Sequence, residues 1–181
     1  MRAFALGLTL IFLTACQTIP YSADDAEADS PILTEDRRVF LLSELNRQRA
    51  IWNEKRPRGY KYTKLINCFC FPAPSRGPNE ISVIEESVIQ RIYVGPTLDG
   101  YVKGKEITEN FAKRDTIQDI FKSVEQHLGP PEERFSGPDN VVNFTVEYDP
   151  IWGFPNKIFY DAEQVVDEQY TLTARNFTVI E

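Results

Sequence analysis

The sequence predicts an α+β fold in which two helices pack on one face of an antiparallel sheet of about six strands. Two segments have apolar residues at helical spacing, and several others alternate apolar with polar residues. Short turns separate the alternating segments, which favours antiparallel pairing. The elements follow the order α-βββ-α-βββ, which is typical of helices grouped on one face of a sheet.

Residues 1–15 are typical of a secretory signal. Arg2 precedes an apolar run from Ala3 to Leu13, which is shorter than the ~20 residues that a membrane-spanning helix needs. The run ends in Leu13-Thr14-Ala15-Cys16, and these four residues resemble the lipobox of bacterial lipoproteins, in which the cysteine receives diacylglycerol. We therefore expect the lipid on Cys16 to anchor the chain in a membrane.

We interpret residues 16–33 as the lipidated N-terminus and an acidic, flexible tether, because the residues of this segment are mostly small and polar and show no periodicity. Gln17 follows the lipidated cysteine, whereas an aspartate there usually retains a Gram-negative lipoprotein in the inner membrane. We therefore expect the protein in the bacterial cell envelope, at the outer membrane and facing the periplasm.

The remaining residues, 34–181, predict a single domain that begins with a helix. Thr34 is a capping residue with acidic residues after it, and Leu41, Leu45 and Trp52 lie at helical spacing. Pro57 ends the helix.

Three strands follow the first helix. Residues 60–70 alternate, with Lys64 as the exception on an otherwise apolar face. Residues 81–84 and 88–94 predict a hairpin around Glu85-Glu86-Ser87, although this turn lacks the Asn-Gly or Asp-Gly pair typical of tight hairpins. Residues 95–114 predict no regular element.

The second half of the domain repeats this order. Ile117, Phe121 and Leu128 belong to an apolar stripe that predicts a helix, which Asp115 or Thr116 caps. Alternation then predicts strands at 142–148, from Ile158 to Tyr160, and at about 168–179.

Composition excludes several classes of function. The chain has 27 acidic against 20 basic residues and a net charge of −7, so it repels phosphate backbones, and nucleic acid is not an expected partner. It has one histidine, which makes a Ser/His/Asp triad implausible, and it lacks a Gly-rich phosphate loop. We therefore expect a non-enzymatic protein without a cofactor.

Cys68 and Cys70 are the two thiols left after lipidation, and an exported compartment favours a disulfide between them. Their separation along a strand lies near the upper limit for a bridge, so two reduced core thiols, a redox-active dithiol and a Cu(I) site remain alternatives. Zinc needs roughly four ligands, and the only histidine, His127, is interpreted as a solvated residue at a helix end.

A turn of distinctive chemistry joins the fourth and fifth strands. Asp149 before Pro150 initiates a turn, Gly153 permits positive φ, and Trp152 and Phe154 flank this glycine. The turn is interpreted either as a wide hairpin whose aromatic rings fold back onto the sheet, as a protein-binding loop with an exposed aromatic anchor, or as a carbohydrate platform.

Several carboxylates lie in or after this turn. Asp149, Asp161, Asp167 and Glu168 are candidate ligands if they converge at one end of the sheet, since calcium takes six to eight oxygen ligands. Without EF-hand spacing, solvated turn acids are the default interpretation, and no metal is expected.

Several short motifs, taken in their order along the chain, resemble those of a family of uncharacterised bacterial lipoproteins, the domain of unknown function numbered 6174. The motifs are Tyr60-Lys61-Tyr62, Cys68-Phe69-Cys70, the run from Tyr148 to Pro155 and the late pair Asp167-Glu168. The resemblance covers roughly residues 46–178, and Trp152 and Phe154 stand where the family more often has tyrosine. It implies no activity, but it supports the domain boundary.

Together these features predict a membrane-anchored envelope lipoprotein that binds a protein partner or supports an envelope assembly. A small-ligand or metal-binding lipoprotein is the alternative, through Cys68 and Cys70 or through Asp149, Asp161 and Asp167, and a hydrolase is a third class. Partner binding predicts an exposed patch at Trp152, whereas ligand binding predicts a pocket lined by tyrosines.

Overall fold

The computed structural model describes residues 33–68, 76–97, 102–108, 115–129, 141–162 and 169–180. It confirms the predicted α+β fold and the order α-βββ-α-βββ. The helices are α1 (Glu35–Lys55) and α2 (Ile117–Leu128), and the strands are β1 (Gly59–Asn67), β2 (Asn79–Ile84), β3 (Ser87–Tyr93), β4 (Val141–Tyr148), β5 (Pro155–Ala162) and β6 (Tyr170–Val179).

The six strands form one sheet in the order β3-β2-β1-β6-β5-β4, and every neighbouring pair is antiparallel. The first and last strands of the domain, β1 and β6, therefore lie side by side at its centre. Neither helix among the described residues is long and apolar enough to span a bilayer.

Local capping chemistry explains where both helices begin. The Thr34 side chain accepts a hydrogen bond from the Arg37 backbone N–H at the start of α1. At α2, Thr116 and Asp119 form a reciprocal capping box, in which each side chain accepts a hydrogen bond from the other residue's backbone N–H.

The two helices run antiparallel to each other, and polar contacts tie their surfaces together. Gln118 of α2 donates to the Asn53 side chain at 3.0 Å, and Arg49 forms an ion pair with Glu125 at 2.9 Å. One face of each helix is buried against the sheet. The principal buried side chains are Leu41, Leu45 and Trp52 of α1; Ile117, Ile120, Phe121, Val124 and Leu128 of α2; and Tyr60, Tyr62, Ile81, Val83, Phe144, Ile158 and Leu172 of the sheet.

A bulge between β1 and β6 brings an additional ring into this core. The register slips by one residue, because Lys61 pairs with Thr178 while Thr63 pairs with Arg175. Asn176 has φ +54° at this point, a conformation that asparagine tolerates better than most residues. The extra residue turns the Phe177 side chain toward the core, where its ring lies 5.4 Å from that of Tyr60.

The predicted hairpin between β2 and β3 is confirmed, and its turn uses two residues of positive φ without a glycine. Glu85 has φ +48° and Glu86 has φ +59°, as a two-residue type I′ turn requires. Arg58 pairs with Glu85 at 2.6 Å, and Arg56 pairs with Glu86 at 3.1 Å.

Residues 95–114 were predicted to form no regular element, but Glu106 and Ile107 pair with the outer edge of β3. Glu106 forms an isolated bridge with Ile92, and the Ile107 N–H donates to the Arg91 carbonyl at 2.9 Å. The sequence did not reveal this pairing because the segment's own residues show no alternation.

Candidate functional site

The turn at 149–154 is closed by its own hydrogen bonds. The Asp149 N–H donates to the Phe154 carbonyl at 2.8 Å, and the Gly153 N–H donates to the Asp149 carbonyl at 2.9 Å. The Asp149 carboxylate also accepts from the N–H groups of Ile151 and Trp152, at 2.9 and 2.8 Å. This pattern is the Asx turn that the Asp-Pro sequence predicts.

The C-terminal half of α1 holds the same turn. Gly153 has φ +77°, and a Cβ atom at this position would lie 2.8 Å from the Gln48 carbonyl oxygen and 2.9 Å from the Ile51 Cβ. Lys55 donates from Nζ to the Ile151 carbonyl at 2.9 Å. Only glycine allows the turn to lie this close to the helix.

The two aromatic rings of the turn fold back onto the domain. Phe154 is buried in the core, with its ring centroid 5.9 Å from that of Trp52. Trp152 is half-buried, 5.2 Å from Phe177. The structure therefore favours the folded-back interpretation: Phe154 is a core residue, and Trp152 does not form the exposed aromatic patch that partner binding predicted. Ile151, at 65% exposure, is the most accessible apolar side chain of the turn.

Neighbouring chain segments complete this end of the molecule. Lys55, at the end of α1, contacts the turn, and the Ile180 N–H donates to the Gly59 carbonyl beside Arg58. Val179 at the end of β6 is also exposed. We call Lys55 and Ile151 the end face: an exposed apolar side chain whose backbone carbonyl is bound by a lysine.

The sequence analysis did not predict an ion cluster that joins β1, β3 and the residue before the capping box of α2. The Asp115 carboxylate accepts from Lys64 Nζ and, at 2.7 Å, from Arg91 Nη1, and both Asp115 and Arg91 are buried. This cluster explains Lys64, the exception in the alternation of β1. Its partner lies 51 residues away, so no local spacing points to it.

Two tyrosines attach the same region to the start of α2. The Tyr62 hydroxyl donates to the Asp115 carbonyl at 2.5 Å, and the Tyr60 hydroxyl accepts from the Ile117 N–H at 3.0 Å. Burial raises the pKa of both phenols, so they remain neutral hydrogen-bonding groups. These contacts join the start of α2 to β1, and the Arg91 ion pair joins it to β3.

The structure describes one of the two predicted thiols. Cys68 is buried at the end of β1 and is disulfide-bonded, and Arg76 donates to its carbonyl oxygen at 3.0 Å. Cys70 lies outside the described residues, as does Cys16, so the Cys68–Cys70 pairing and the lipidation of Cys16 stay predictions.

Asp149 and Asp161, two of the alternative metal ligands, do not lie together. Asp149 lies beside the Tyr148–Pro155 end of the β4–β5 hairpin, whereas Asp161 pairs with Asn143 at the other end. At ~3.3 Å per residue, the two carboxylates are separated by roughly 20 Å along the strand. Asp167 and Glu168 lie outside the described residues, and the described part of the chain contains no group of three or more His, Cys, Asp or Glu suited to a metal.

His127 is also placed differently from the prediction of a solvated helix end. Its ring lies 5.8 Å from Phe144, 5.1 Å from Tyr160 and 6.5 Å from Tyr170. Nδ1 lies 2.6 Å from the Ser123 carbonyl oxygen. Burial lowers the pKa of His127 below its ordinary value, because the aromatic surroundings disfavour the charged ring.

Comparison with known proteins identifies a family without assigning a function. No curated protein and no solved structure matches the chain. A family model does match, over residues 44–179, and its description is a family of unknown function (DUF6174). The match spans β1 to β6, both helices for most of their length, the 149–154 turn and the buried ion cluster. Since it covers more than half of the 181 residues, the chain belongs to the DUF6174 family.

Proposed function

We propose that this protein is a lipid-anchored lipoprotein of the bacterial envelope that binds a protein partner through its end face. The observation that carries the proposal is Ile151, a 65% exposed apolar side chain at the tip of a turn that hydrogen bonds and α1 hold in place. Binding loops are commonly presented in this way, on a rigid scaffold.

The rigidity of the turn favours binding. Asp149 and Gly153 already fix the turn in the free protein, so little conformational entropy is lost when a partner orders it. Lys55 lies beside Ile151, as polar residues lie at the rim of many protein interfaces.

The proposed partner is an envelope protein, and the proposed role is binding rather than catalysis. The buried carboxylate, Asp115, is bound by Lys64 and Arg91, which leaves it poorly suited to proton transfer or nucleophilic attack. The buried phenols of Tyr60 and Tyr62 are held neutral.

The lipid anchor rests on the sequence Leu13-Thr14-Ala15-Cys16. Metabolic labelling with palmitate is expected to label the protein, and Cys16→Ser is expected to abolish both the label and the recovery of the protein in the membrane fraction. Full labelling of Cys16→Ser would contradict lipidation at this cysteine.

Two matched substitutions test the partner-binding surface. Ile151 and Ile89 are isoleucines of 65% and 55% exposure, one on the end face and the other on strand β3. With photo-crosslinking in the native cells, Ile151→Asp is expected to abolish a defined crosslinked species formed from position 152, whereas Ile89→Asp leaves it intact. Both variants are expected to melt like the unmodified protein, because exposed substitutions usually change stability by less than ~0.5 kcal/mol.

Two results would overturn the binding proposal. One is equal crosslinking in all three proteins, which would show that the species does not depend on the end face. The other is loss of cooperative melting in Ile151→Asp, which would make Ile151 part of the core.

A further inference from the structure

The side of the sheet that is turned away from the helices, which we call the open face, carries a balanced set of charges. Successive residues of a strand point to opposite sides of a sheet. Leu172 and Ala174 of β6 lie in the core, so Arg175 lies on the open face, and Ile158 in the core places Asp161 of β5 there too. The described strands contribute three basic and three acidic residues to this face: Lys61, Glu80, Glu147, Lys157, Asp161 and Arg175. Their charges sum to zero, whereas the chain as a whole carries −7.

Two of these six charges are not neutralised within the chain. The two lysines of the open face form ion pairs with its two glutamates, at 3.5 Å between β1 and β2 and at 2.6 Å between β4 and β5. Among the residues that the structure describes, the side chains of Arg175 and Asp161 have no ion-pair or hydrogen-bonding partner. The open face therefore offers one cation and one anion to a binding partner.

The strand register determines how far apart these two charges lie. Tyr160 pairs with Tyr170, so Asp161 lies level with residue 169, which is six residues before Arg175 along the chain. At ~3.4 Å per residue along a strand and ~4.8 Å between strands, Arg175 and Asp161 are about 20 Å apart, mostly in the direction of the strands.

A two-fold axis between two open faces turns these single charges into two ion pairs. The axis lies in the plane between the sheets and crosses the midpoint of the line from Arg175 to Asp161 at a right angle. Rotation about this axis then brings Arg175 of each copy to Asp161 of the other, as a self-complementary interface requires. Because the line runs nearly along the strands, the strands of the two sheets stay within about 30° of each other, which is the aligned packing of β-sandwiches.

We propose that a second copy of this chain docks on the open face, held by two reciprocal ion pairs between Arg175 and Asp161. The surface between the two charges suits this contact. Leu65 is 38% exposed and pairs with Thr173, and the half-buried Phe159 pairs with Thr171. Association removes these apolar side chains from water, and the balanced charge of the open face avoids the repulsion that other surfaces of an acidic chain would cause. The inference depends neither on the end face nor on the lipid anchor.

The test is sedimentation equilibrium of the full chain in a density-matched detergent, across the micromolar concentration range. The unmodified protein is expected to show a reversible equilibrium between monomer and dimer. Arg175→Asp and Asp161→Arg each place like charges opposite one another at both ends of the interface, and each is expected to raise the dimer dissociation constant at least about tenfold. The exchange variant Arg175→Asp/Asp161→Arg restores opposite charges and is expected to restore the dimer.

A matched control separates this pairing from the effect of net charge. Lys122→Glu changes the net charge by the same amount as Arg175→Asp, at a lysine of α2 whose side chain is 69% exposed, and is expected to leave the dissociation constant unchanged. All variants are expected to melt like the unmodified protein. If a charge reversal prevents folding, Arg175→Gln and Asp161→Asn replace it, and each of these neutral variants is expected to weaken the dimer.

Each of four results would overturn the inference. A chain that stays monomeric at every concentration has no such interface. A dimer that Arg175→Asp leaves intact forms through another surface. An exchange variant as weak as the single variants would show that the two charges do not meet. Equal weakening by Lys122→Glu would assign the effect to net charge.

Discussion

Replacing Gly153 with alanine tests how closely the 149–154 turn is docked on α1. Two separate features oppose the new methyl group. The backbone at this position has φ +77°, and the added Cβ would lie 2.8 Å from the Gln48 carbonyl oxygen and 2.9 Å from the Ile51 Cβ. Neither neighbouring atom is the end of a flexible side chain, so the turn itself must move.

Each of the two features has its own cost in the free energy of unfolding. A left-handed backbone costs a residue with a Cβ about 1–2 kcal/mol, partly offset because alanine also restricts the unfolded chain. Overpacking against fixed atoms adds about 1–3 kcal/mol. We expect Gly153→Ala to lose about 2–4 kcal/mol in total, which lowers Tm by roughly 5–15 °C for a domain of this size.

Gly104 supplies the matched control. It has φ +86°, and no atom lies within 4 Å of the position that a Cβ would occupy there. Gly104→Ala therefore carries only the backbone cost of about 1 kcal/mol. Urea unfolding followed by circular dichroism measures both variants, and their difference isolates the contact between the turn and α1.

Equal destabilisation of the two variants would refute the docked geometry. It would mean that the methyl group at position 153 meets no fixed atoms and that the turn is not held by the helix. In the docked geometry, Gly153→Ala is also expected to weaken the crosslink formed from position 152, because Ile151 loses its fixed position.

Three further predictions follow from the described contacts. Asp115→Ala leaves the buried Arg91 and the partly buried Lys64 without their carboxylate and should destabilise the domain by about 3–5 kcal/mol in urea unfolding, and a loss below ~1 kcal/mol would contradict the ion cluster. The double variant Glu85→Asn/Glu86→Gly suits the positive φ angles of the β2–β3 turn and should raise the free energy of unfolding by about 1 kcal/mol, whereas a decrease would show that the ion pairs of the glutamates outweigh backbone strain. Because burial lowers the folded-state pKa of His127, the unfolded chain binds the proton more readily, so stability should fall as pH drops below the ordinary value of 6.5; His127→Gln should reduce this fall, and an unchanged pH profile would exclude His127 as its source.

Much of the fold could be predicted because its signals are local. The capping residues Thr34 and Thr116 mark both helix starts, and the alternation of apolar residues marks the strands. The 149–154 turn was also recognisable, since the Asp-Pro pair and Gly153 act on neighbouring backbone groups.

The site depended on contacts that no local pattern encodes. The local sequence around Trp152 and Phe154 does not show whether their rings face solvent or the core. Their inward direction depends on the distant rings of Trp52 and Phe177, against which they pack. The β6 bulge at Asn176 likewise changes which side chains face the helices, although strict alternation would assign them otherwise.

By itself, the sequence determined the element order, the capped helix starts, the charge and the family resemblance, because these depend on residues close together in the chain. Tertiary structure decided that Lys64, Arg91 and Asp115 meet, that Asp149 and Asp161 lie apart, and that His127 is surrounded by rings. Burial and long-range pairing set those outcomes, since the free energy of a charged or aromatic side chain depends on which distant residues surround it.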